Sequence, residues 1–291
     1  MKLAVLRSVS REAPVLLAGP TAAGKSALAL ELAARDGRVV VNADALQVYG
    51  CWRVLTARPT LAEAALVPHA LYGHLGRDQD YSVGHWLREV AVLLDRKLVI
   101  VGGTGLNFAA LTGGLAEIPP VPAAVRVEAD ALRLAGGLAA MVAGLDAKTA
   151  ARIDLRNPMR VQRAWEVLRA TGRGLALWQD ETAAPLLPLA AVEALVLRPG
   201  TGWLNDRIAQ RFSAMVEGGA LEEVAALRPF WAPPAPWTRA IGAPELMAHL
   251  QGRLTLDQAI EDGVLASRQY AKRQRTWFRS RMAGWRDIVP G

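Results

Sequence analysis

Residues 19–30 read GPTAAGKSALAL. Gly19, Gly24, Lys25 and Ser26 occupy the fixed positions of the pattern G-x-x-x-x-G-K-[ST]. The apolar run PVLLA precedes them and the helical run SALALELAA follows, which predicts a strand, a phosphate-binding loop and a helix in succession. In such a loop, backbone N–H groups and the helix N-terminus bind phosphate oxygens, while the lysine neutralises them. The reaction stays open, because kinases, ATPases, GTPases and transferases share the motif.

Apolar runs alternate with helical stretches over the first hundred residues. The pattern predicts strands at 14–19, 38–44 and 98–103, and helices over 25–35 and 82–97. Continuous apolar strands that alternate with helices are typical of a parallel sheet covered on both faces. We therefore expect an α/β fold with a P-loop parallel sheet as its core and the ligand at the carboxyl ends of the strands.

A proline-rich break, AEIPPVPAAVR, interrupts this alternation. From there to about residue 180 the sequence has helical periodicity and no convincing strand. One helix has a clear start, with Asn157 as N-cap and Pro158 in the first turn, and it ends at TGRG. We predict a helical insertion domain over 118–189, within a core made of 1–117 and 190–291.

Composition limits the classes of protein. The 291 residues are 52% hydrophobic with a net charge of +7, and Arg outnumbers Lys by 29 to 5. Arginine suits phosphate binding and base stacking, although a GC-rich coding sequence produces the same bias. Cys51 is the single cysteine, which excludes a disulfide framework and a cysteine zinc site. With neither a secretory leader nor a membrane-spanning run in the sequence, we expect a soluble, cytoplasmic monomer without a membrane partner.

Two aspartates compete for a catalytic role. A nucleotide hydrolase needs a carboxylate at a strand end, and Asp95 in AVLLD resembles one. Because Asp95 falls within the predicted helix 82–97, we interpret it as a helix-surface residue. Asp44, in VVVNADALQVY, follows the second strand near the phosphate loop and can accept a proton from a nucleophile. An Asx-turn or helix cap explains Asp44 equally well from spacing alone.

The C-terminal stretch DQAIEDGVLASRQYAKRQRTWFRSRM predicts a long basic helix. Four cations recur on one face: Arg268, Lys272, Arg275 and Arg279. A solvated basic face is the usual explanation, but no Asp or Glu lies between Arg268 and Arg286. Aromatic residues among the cations favour RNA with unstacked bases over duplex DNA. A second basic cluster in the insertion comprises Arg156, Arg160 and Arg163.

Together these stretches resemble the tRNA dimethylallyltransferase family, also called tRNA isopentenyltransferases. Family members contain GPTASGKT, SADSMQVY…GTAKP, VGGTGLY, NDPQRxxRALEV…TG and ATRQYAKRQxTWFR. The counterparts here, in the same order, are GPTAAGKS, NADALQVY…LTARP, VGGTGLN, RNPMRVQRAWEVLRATG and ASRQYAKRQRTWFR. They extend over residues 19–281, and five collinear motifs are far more specific than a P-loop alone.

The resemblance implies an activity and a set of site residues. The family transfers a dimethylallyl group from dimethylallyl diphosphate to N6 of the adenosine immediately 3′ of certain tRNA anticodons, with Mg²⁺ as cofactor. The implied catalytic residues are Asp44, Thr104 and Arg126. The implied diphosphate-binding residues are Gly19, Pro20, Thr21, Ala22, Ala23, Gly24, Lys25 and Ser26, with Ser26 also binding the metal. The implied contacts with the tRNA anticodon stem-loop are Asp44, Ala45, Leu46, Gln47, Met159, Arg160, Val161, Gln162, Arg163, Arg239, Lys272, Arg273, Gln274, Arg275, Thr276, Trp277, Phe278 and Arg279.

The chain departs from the family pattern at four positions. Ala45 replaces a serine, Asn107 a tyrosine, and Ala243 and Pro244 replace the Tyr-Arg pair of GYRE. None of them touches Lys25, Asp44 or Thr104, so we expect activity to survive with altered tRNA contacts. The main alternative is a P-loop nucleotide kinase or ATPase acting with RNA, for which Asp95 would be essential. An adenylate prenyltransferase, which uses free nucleotide, is disfavoured by the basic helix.

Overall fold

The computed structural model of the protein describes the backbone of residues 2–290 and the side chains of residues 5–290. The chain divides into two compact units, Met1–Thr112 with Leu186–Gly291 and, between them in sequence, Gly113–Pro185. We call them the core unit and the insertion unit. The sequence-based expectation set the limits of the insertion at 118 and 189.

All strands in the described residues belong to one sheet of the core unit. They are β1 (Val15–Ala18), β2 (Val39–Asn42), β3 (His69–Ala70), β4 (Leu98–Gly102), β5 (Glu193–Leu197) and β6 (Arg286–Ile288). Their spatial order is β3-β2-β4-β1-β5-β6, and every pairing is parallel. The predicted α/β fold on a parallel sheet is therefore confirmed.

Thirteen α-helices occur in the described residues. In the core unit they are α1 (Lys2–Ser8), α2 (Lys25–Asp36), α3 (Leu61–Leu66), α4 (Val83–Ala91) and α5 (Gly105–Gly113), whose last residue opens the insertion unit. The insertion unit contains α6 (Ala123–Ala143), α7 (Ala147–Ala150), α8 (Pro158–Thr171) and α9 (Leu175–Asp180). The core unit then continues with α10 (Thr201–Met215), α11 (Leu221–Leu227), α12 (Ala243–Leu250) and α13 (Leu256–Arg281).

Side chains of each central strand alternate between two apolar layers, as the pleat of a strand requires. Val15 and Leu17 of β1 pack with Ala29 and Leu32 of α2 in one layer. The other face of β1 packs with residues of α4, α5 and α13, among them Phe278. Helices thus cover both faces, and the carboxyl ends of β1, β2 and β4 lie side by side.

The helix predicted over 82–97 is shorter than expected. Helix α4 ends at Ala91, after which Leu93 N–H donates to Val90 O at 2.9 Å in a tighter turn. Asp95 therefore lies in an exposed turn rather than on a helix surface. Since Asp95 precedes β4, it lies at the amino ends of the strands, the edge opposite the P-loop.

The insertion unit has its own small core, in which Ala129 and Met141 of α6 pack with Val161 of α8. The predicted start of α8 is confirmed, because the Asn157 side chain accepts a hydrogen bond from Arg160 N–H at 3.3 Å. The helix ends at Thr171 with Gly172 as its C-cap, within the TGRG stretch as predicted. No helix in the part of the chain that the structure describes is long and apolar enough to cross a membrane.

Candidate active site

The P-loop connects the carboxyl end of β1 to the first turn of α2. Gly24 has φ of 89°, a left-handed conformation that favours glycine, at the residue before α2. Lys25 Nζ donates to the carbonyl oxygen of Pro20 at 2.7 Å, so the lysine lies back over the loop. Arg207 of α10 donates from Nε to Ala22 O at 3.1 Å and so connects α10 to the loop.

Gln274 fastens α13 to the P-loop. Its Oε1 accepts a hydrogen bond from Thr21 N–H at 2.9 Å, and its Nε2 donates to Gly103 O at 2.9 Å. The two partners fix the orientation of the amide, since one is a donor and the other an acceptor. The side chain is buried, so Gln274 braces the loop and the end of β4 from within.

Asp44 lies in the turn that follows β2. Asn42 Oδ1 accepts from Asp44 N–H at 2.8 Å, and Asp44 Oδ1 accepts from Leu46 N–H at 3.0 Å. The Asx-turn interpretation is thus correct for Oδ1. Within the described residues, no protein hydrogen bond engages Oδ2, which leaves that oxygen available to a substrate.

Thr104 connects the ends of β2 and β4. Its N–H donates to Ala43 O at 3.2 Å, and its hydroxyl oxygen accepts from Ala45 N–H at 3.0 Å. The two chain segments approach closely here, because a Cβ at Gly102 would lie 2.1 Å from Ala43 O. The turn that bears Asp44 is therefore fixed against the end of β4.

A cavity of about 100 Å³ lies beside these groups, wholly in the core unit. Its polar lining includes Thr21, Lys25, Ser26, Asp44, Thr56, Tyr72, Arg211 and Tyr270. Its apolar lining includes Leu46, Leu55, Ile208, Phe212, Met215 and Ile241. One pocket thus joins a phosphate-binding loop, a carboxylate and an apolar region.

Burial sets the charges around this cavity. It lowers the pKa of the Lys25 ammonium to about 7; Asp44 opposes the shift and Arg211 adds to it. Burial also lowers the pKa of Arg211, against the effect of Asp44. The pKa values of Tyr72 and Tyr270 are raised by burial and next by Asp44, so both phenols stay protonated at neutral pH. Two desolvated cations and one carboxylate suit an anionic ligand that is attacked by a proton-bearing nucleophile.

Known proteins are similar in sequence to this chain over nearly its whole length. Residues 47–281 match the family model described as IPP transferase. The tRNA dimethylallyltransferase of Cereibacter sphaeroides strain KD131 is 65% identical over 285 residues, which cover 97% of this chain and 91% of that relative. The chain belongs to the tRNA dimethylallyltransferase family. The tRNA dimethylallyltransferase of Paracoccus denitrificans strain Pd 1222 is 58% identical over 295 residues, covering 99% of this chain and 98% of that relative.

Solved structures of the tRNA dimethylallyltransferase family have the same fold. The crystal structure of a full-length tRNA isopentenylpyrophosphate transferase from Bacillus halodurans matches with a TM-score of 0.66 and 31% identity, covering 96% of this chain and 90% of that one. A eukaryotic dimethylallyltransferase acting on tRNA matches with a TM-score of 0.73 and 22% identity, over 96% of this chain and 74% of that one. The second likeness shows the fold alone.

The tRNA dimethylallyltransferase motifs on α13 divide between two faces of the helix. Lys272, Arg273, Thr276 and Arg279 are exposed, and Arg275 and Trp277 are half-buried. Gln274 and Phe278 are 5% and 1% exposed. Both residues were expected to contact tRNA; in the structure Gln274 binds the P-loop and Phe278 packs against the sheet.

Four cations of α13 form one wall of a groove. A cavity of about 380 Å³ lies between α13 and the start of α10. Its lining includes Arg268, Lys272, Arg275 and Arg279, the four residues predicted to share a face, together with Thr201 and Asn205. We call this surface the cationic groove.

The other expected tRNA contacts are spread over the two units. On α8, Met159, Arg160 and Arg163 are exposed, whereas Val161, also expected to contact tRNA, is fully buried in the core of the insertion unit. Gln162 donates to Asp130 and Glu166 at 2.9 and 3.1 Å. Arg239 is exposed in the core unit, and Arg126 is exposed on α6 of the insertion unit.

Sequence reasoning missed Arg211, Tyr72 and Tyr270. Arg211 carried a usable signal: it shares a helix face with Ile208 and Met215, and a cation on an apolar face indicates a buried partner or ligand. The tyrosines carried none, since a half-buried tyrosine is common in any core.

Proposed function

We propose that this chain transfers a dimethylallyl group from dimethylallyl diphosphate to N6 of the adenosine immediately 3′ of the anticodon in certain tRNAs. The observation that carries the proposal is the single cavity that joins the P-loop, Asp44 and an apolar region. A phosphate grip, a base and an apolar pocket are what an allylic diphosphate and an amine nucleophile require.

The leaving group is assigned to the P-loop. The loop backbone and Lys25 hold the diphosphate, whose departure leaves a delocalised allylic cation, so catalysis rests on stabilising the charge that develops on the departing oxygens. Arg211 lines the same cavity and adds a second cation. Thr104 fixes the turn of Asp44 and, as the family resemblance implies, would lie beside the reacting atoms.

Asp44 is assigned the role of accepting the proton that the nucleophile releases. The adenine N6 attacks C1 of the allylic chain, the C1–O bond breaks, and a proton passes from N6 to the Asp44 carboxylate. The carboxylate is prepared for this because Leu46 N–H already binds Oδ1 and thereby orients the group. The adenosine leaves its stack to reach the cavity, as bases modified by enzymes commonly do.

Magnesium fits the donors present. Mg²⁺ prefers oxygen ligands, retains several waters and is commonly bound together with substrate phosphates. The described residues contain no group of three or more His, Cys, Asp or Glu side chains able to hold a metal alone. The Ser26 hydroxyl, with the diphosphate and water, would hold the ion, which would neutralise charge on the leaving group.

The tRNA is assigned to the exposed basic surfaces. The exposed members of the expected set on α13, together with Arg239, would contact the anticodon stem-loop from the core unit. Met159, Arg160 and Arg163 would contact it from the insertion unit, and Arg126 would act near the substrates. We place the enzyme in the cytoplasm with its tRNA and expect it to act as a monomer.

The test is product analysis. Purified protein, dimethylallyl diphosphate, Mg²⁺ and unmodified tRNA are expected to yield N6-dimethylallyladenosine, detected by mass spectrometry of the tRNA nucleosides. Asp44→Ala is expected to abolish turnover while tRNA binding persists, and Asp95→Ala, which removes an exposed carboxylate at the far edge of the sheet, serves as the matched control. Folded wild-type protein that gives no product would refute the proposal. AMP is tested as an alternative acceptor, and we expect it to give no prenylated product, which would exclude the use of free nucleotide.

A further inference from the structure

One face of α10 forms a wall of the cavity from its phosphate end to its apolar end. Ile208, Phe212 and Met215 follow the spacing that places side chains on one helix face. Ile208 packs with Ala22 of the P-loop, whereas Met215 packs in the apolar cluster that contains Leu55. The distance along the helix axis from residue 208 to residue 215 is about 10 Å. This wall therefore leads from the phosphate grip into the apolar part of the pocket.

Two glycines hold the Phe212 ring in place. A Cβ at Gly263 of α13 would lie 2.2 Å from Phe212 Cζ, and a Cβ at Gly242, just before α12, would lie 2.6 Å from Phe212 Cε2. Leu55 lies next to the ring, since the same added Cβ at Gly242 would lie 3.1 Å from Leu55 Cδ1. The ring is 4% exposed. Because backbone lies directly behind it, the ring cannot move back to admit a larger ligand.

We infer that Phe212 ends the pocket of the allylic chain and so restricts the donor to five carbons. The inference rests on the proposed function, since it assigns the apolar region to the dimethylallyl group. Lys25 and Ser26 fix the diphosphate at one end, so every added carbon extends the chain toward Phe212 and Leu55. A ten-carbon allylic diphosphate forms an equally delocalised cation, so the two donors do not differ in reactivity. The length of the apolar pocket is therefore what distinguishes the five-carbon donor from the ten-carbon donor.

The test is a competition between two donors. Wild-type protein and Phe212→Ala are each given equimolar dimethylallyl and geranyl diphosphate with unmodified tRNA, and the five-carbon and ten-carbon nucleosides are measured by mass spectrometry. In both reactions the N6–C1 bond forms, the C1–O bond breaks, diphosphate leaves and the N6 proton passes to Asp44. We expect the ratio of ten-carbon to five-carbon product to be roughly tenfold to a hundredfold higher in Phe212→Ala than in wild type. Each methylene that the enlarged pocket can bury strengthens binding of the longer donor by a factor of about four, so two or three additional methylenes give this range.

A matched control separates pocket length from loss of stability. Phe108→Ala makes the same change at a fully buried ring that lies in the sheet core and does not line the cavity. It is expected to lower the melting temperature without changing the product ratio. Gly263→Ala is expected to push the Phe212 ring into the pocket and to raise KM for dimethylallyl diphosphate.

Every outcome bears on the inference. A Phe212→Ala protein that retains the wild-type product ratio overturns it. If that variant folds but modifies no tRNA, calorimetry with geranyl diphosphate decides, and affinity equal to wild type overturns the inference. If it does not fold, the ratio given by Phe212→Leu decides in the same way. Wild-type protein that fails with dimethylallyl diphosphate refutes the proposed function instead.

Discussion

Gln274 of α13 accepts a hydrogen bond from the backbone N–H of Thr21 in the P-loop, at 2.9 Å. The two residues are 253 positions apart in sequence. The same helix carries the four cations of the cationic groove. A surface suited to a polyanion and the loop suited to the diphosphate are thus joined by one rigid element.

Replacing Gln274 tests this connection. Gln274→Ala leaves Thr21 N–H and Gly103 O without their buried partner, at a cost of about 1–3 kcal/mol for each group that stays unsatisfied. We expect a lower melting temperature and a higher KM for dimethylallyl diphosphate, with KM for tRNA much less affected. Gln210→Ala, at an exposed glutamine of α10, is the control and is expected to leave the melting temperature and both KM values unchanged.

Gln274→Glu sharpens the prediction. A carboxylate can still accept from Thr21 N–H but cannot donate to Gly103 O, and it places a negative charge beside the diphosphate site. We expect KM for dimethylallyl diphosphate to rise more than in Gln274→Ala at neutral pH and to recover partly as pH falls and the group is protonated. Equal effects on the KM values for tRNA and for the donor would contradict a role centred on the P-loop.

The lowered pKa of Lys25 predicts a pH-dependent affinity. With a pKa of about 7, Lys25 loses its charge in the free protein as pH rises through neutrality. An anionic diphosphate favours the charged form, so binding at pH 8 takes up a proton and affinity falls between pH 7 and 9. The loss is at most about tenfold per pH unit.

Calorimetry with dimethylallyl diphosphate in EDTA measures this effect. Lys25→Arg is the control, because its side chain stays charged over the same range while the ionisation of the ligand is unchanged. The pH dependence that belongs to Lys25 is the difference between the two proteins. Identical slopes for wild type and Lys25→Arg would show that Lys25 does not titrate in this range.

The central strands and the phosphate loop could be predicted because their signals are local. The runs that became β1, β2 and β4 are fully buried and apolar except for Asn42 at the end of β2, as buried parallel strands largely are, and GPTAAGKS fixes the loop that follows β1. Strands β3 and β6 contain two and three residues, too few for any periodicity, and only pairing with β2 and β5 defines them.

The inner side of the site could not be predicted, for a different reason. Gln274 faces inward together with Ala271 and Phe278, yet a polar residue among cations reads as part of an exposed face. Which face packs is decided by contacts with α10 and the sheet, and these join residues far apart in the chain. Arg211 lies on the cavity for the same reason, since its role depends on Lys25 and Asp44.

The cationic groove predicts a salt-dependent affinity for tRNA. Lys272→Ala combined with Arg279→Ala is expected to weaken tRNA binding. The plot of log affinity against log salt has a negative slope, and its magnitude is expected to decrease by about 0.7 for each phosphate that is no longer neutralised. KM for dimethylallyl diphosphate is expected to stay unchanged. Filter binding between low and physiological salt measures the slope.

A comparison of equal charge change completes that experiment, with Arg253→Ala set against Lys272→Ala alone. Arg253→Ala removes an exposed cation before the start of α13, about 25 Å along the helix from Lys272. It is expected to leave the slope at the wild-type value. If Arg253→Ala lowers the slope as much as removal of Lys272 does, binding depends on net charge rather than on the groove.

Glu223 of α11 holds the segment that supplies Leu55 to the cavity. Its carboxylate accepts hydrogen bonds from the backbone N–H groups of Arg53, Val54 and Leu55, at 2.5, 3.1 and 2.9 Å. Glu223→Ala removes the acceptor of all three N–H groups, and hydrogen bonds to a charged group contribute about 1.5–3 kcal/mol each. Because water can replace part of this loss in a half-buried turn, we expect unfolding free energy to fall by about 2–4 kcal/mol.

Glu223→Gln separates charge from shape at that position. The amide keeps one acceptor oxygen in the same place, so it is expected to recover part of the stability and most of the affinity for dimethylallyl diphosphate, whereas Glu223→Ala is expected to raise KM for this donor by displacing Leu55. Exposed Glu222, its neighbour on α11, is the control as Glu222→Ala. Thermal unfolding and steady-state kinetics on the same preparations decide. A Glu223→Ala protein with wild-type KM would mean that the position of Leu55 does not depend on this carboxylate.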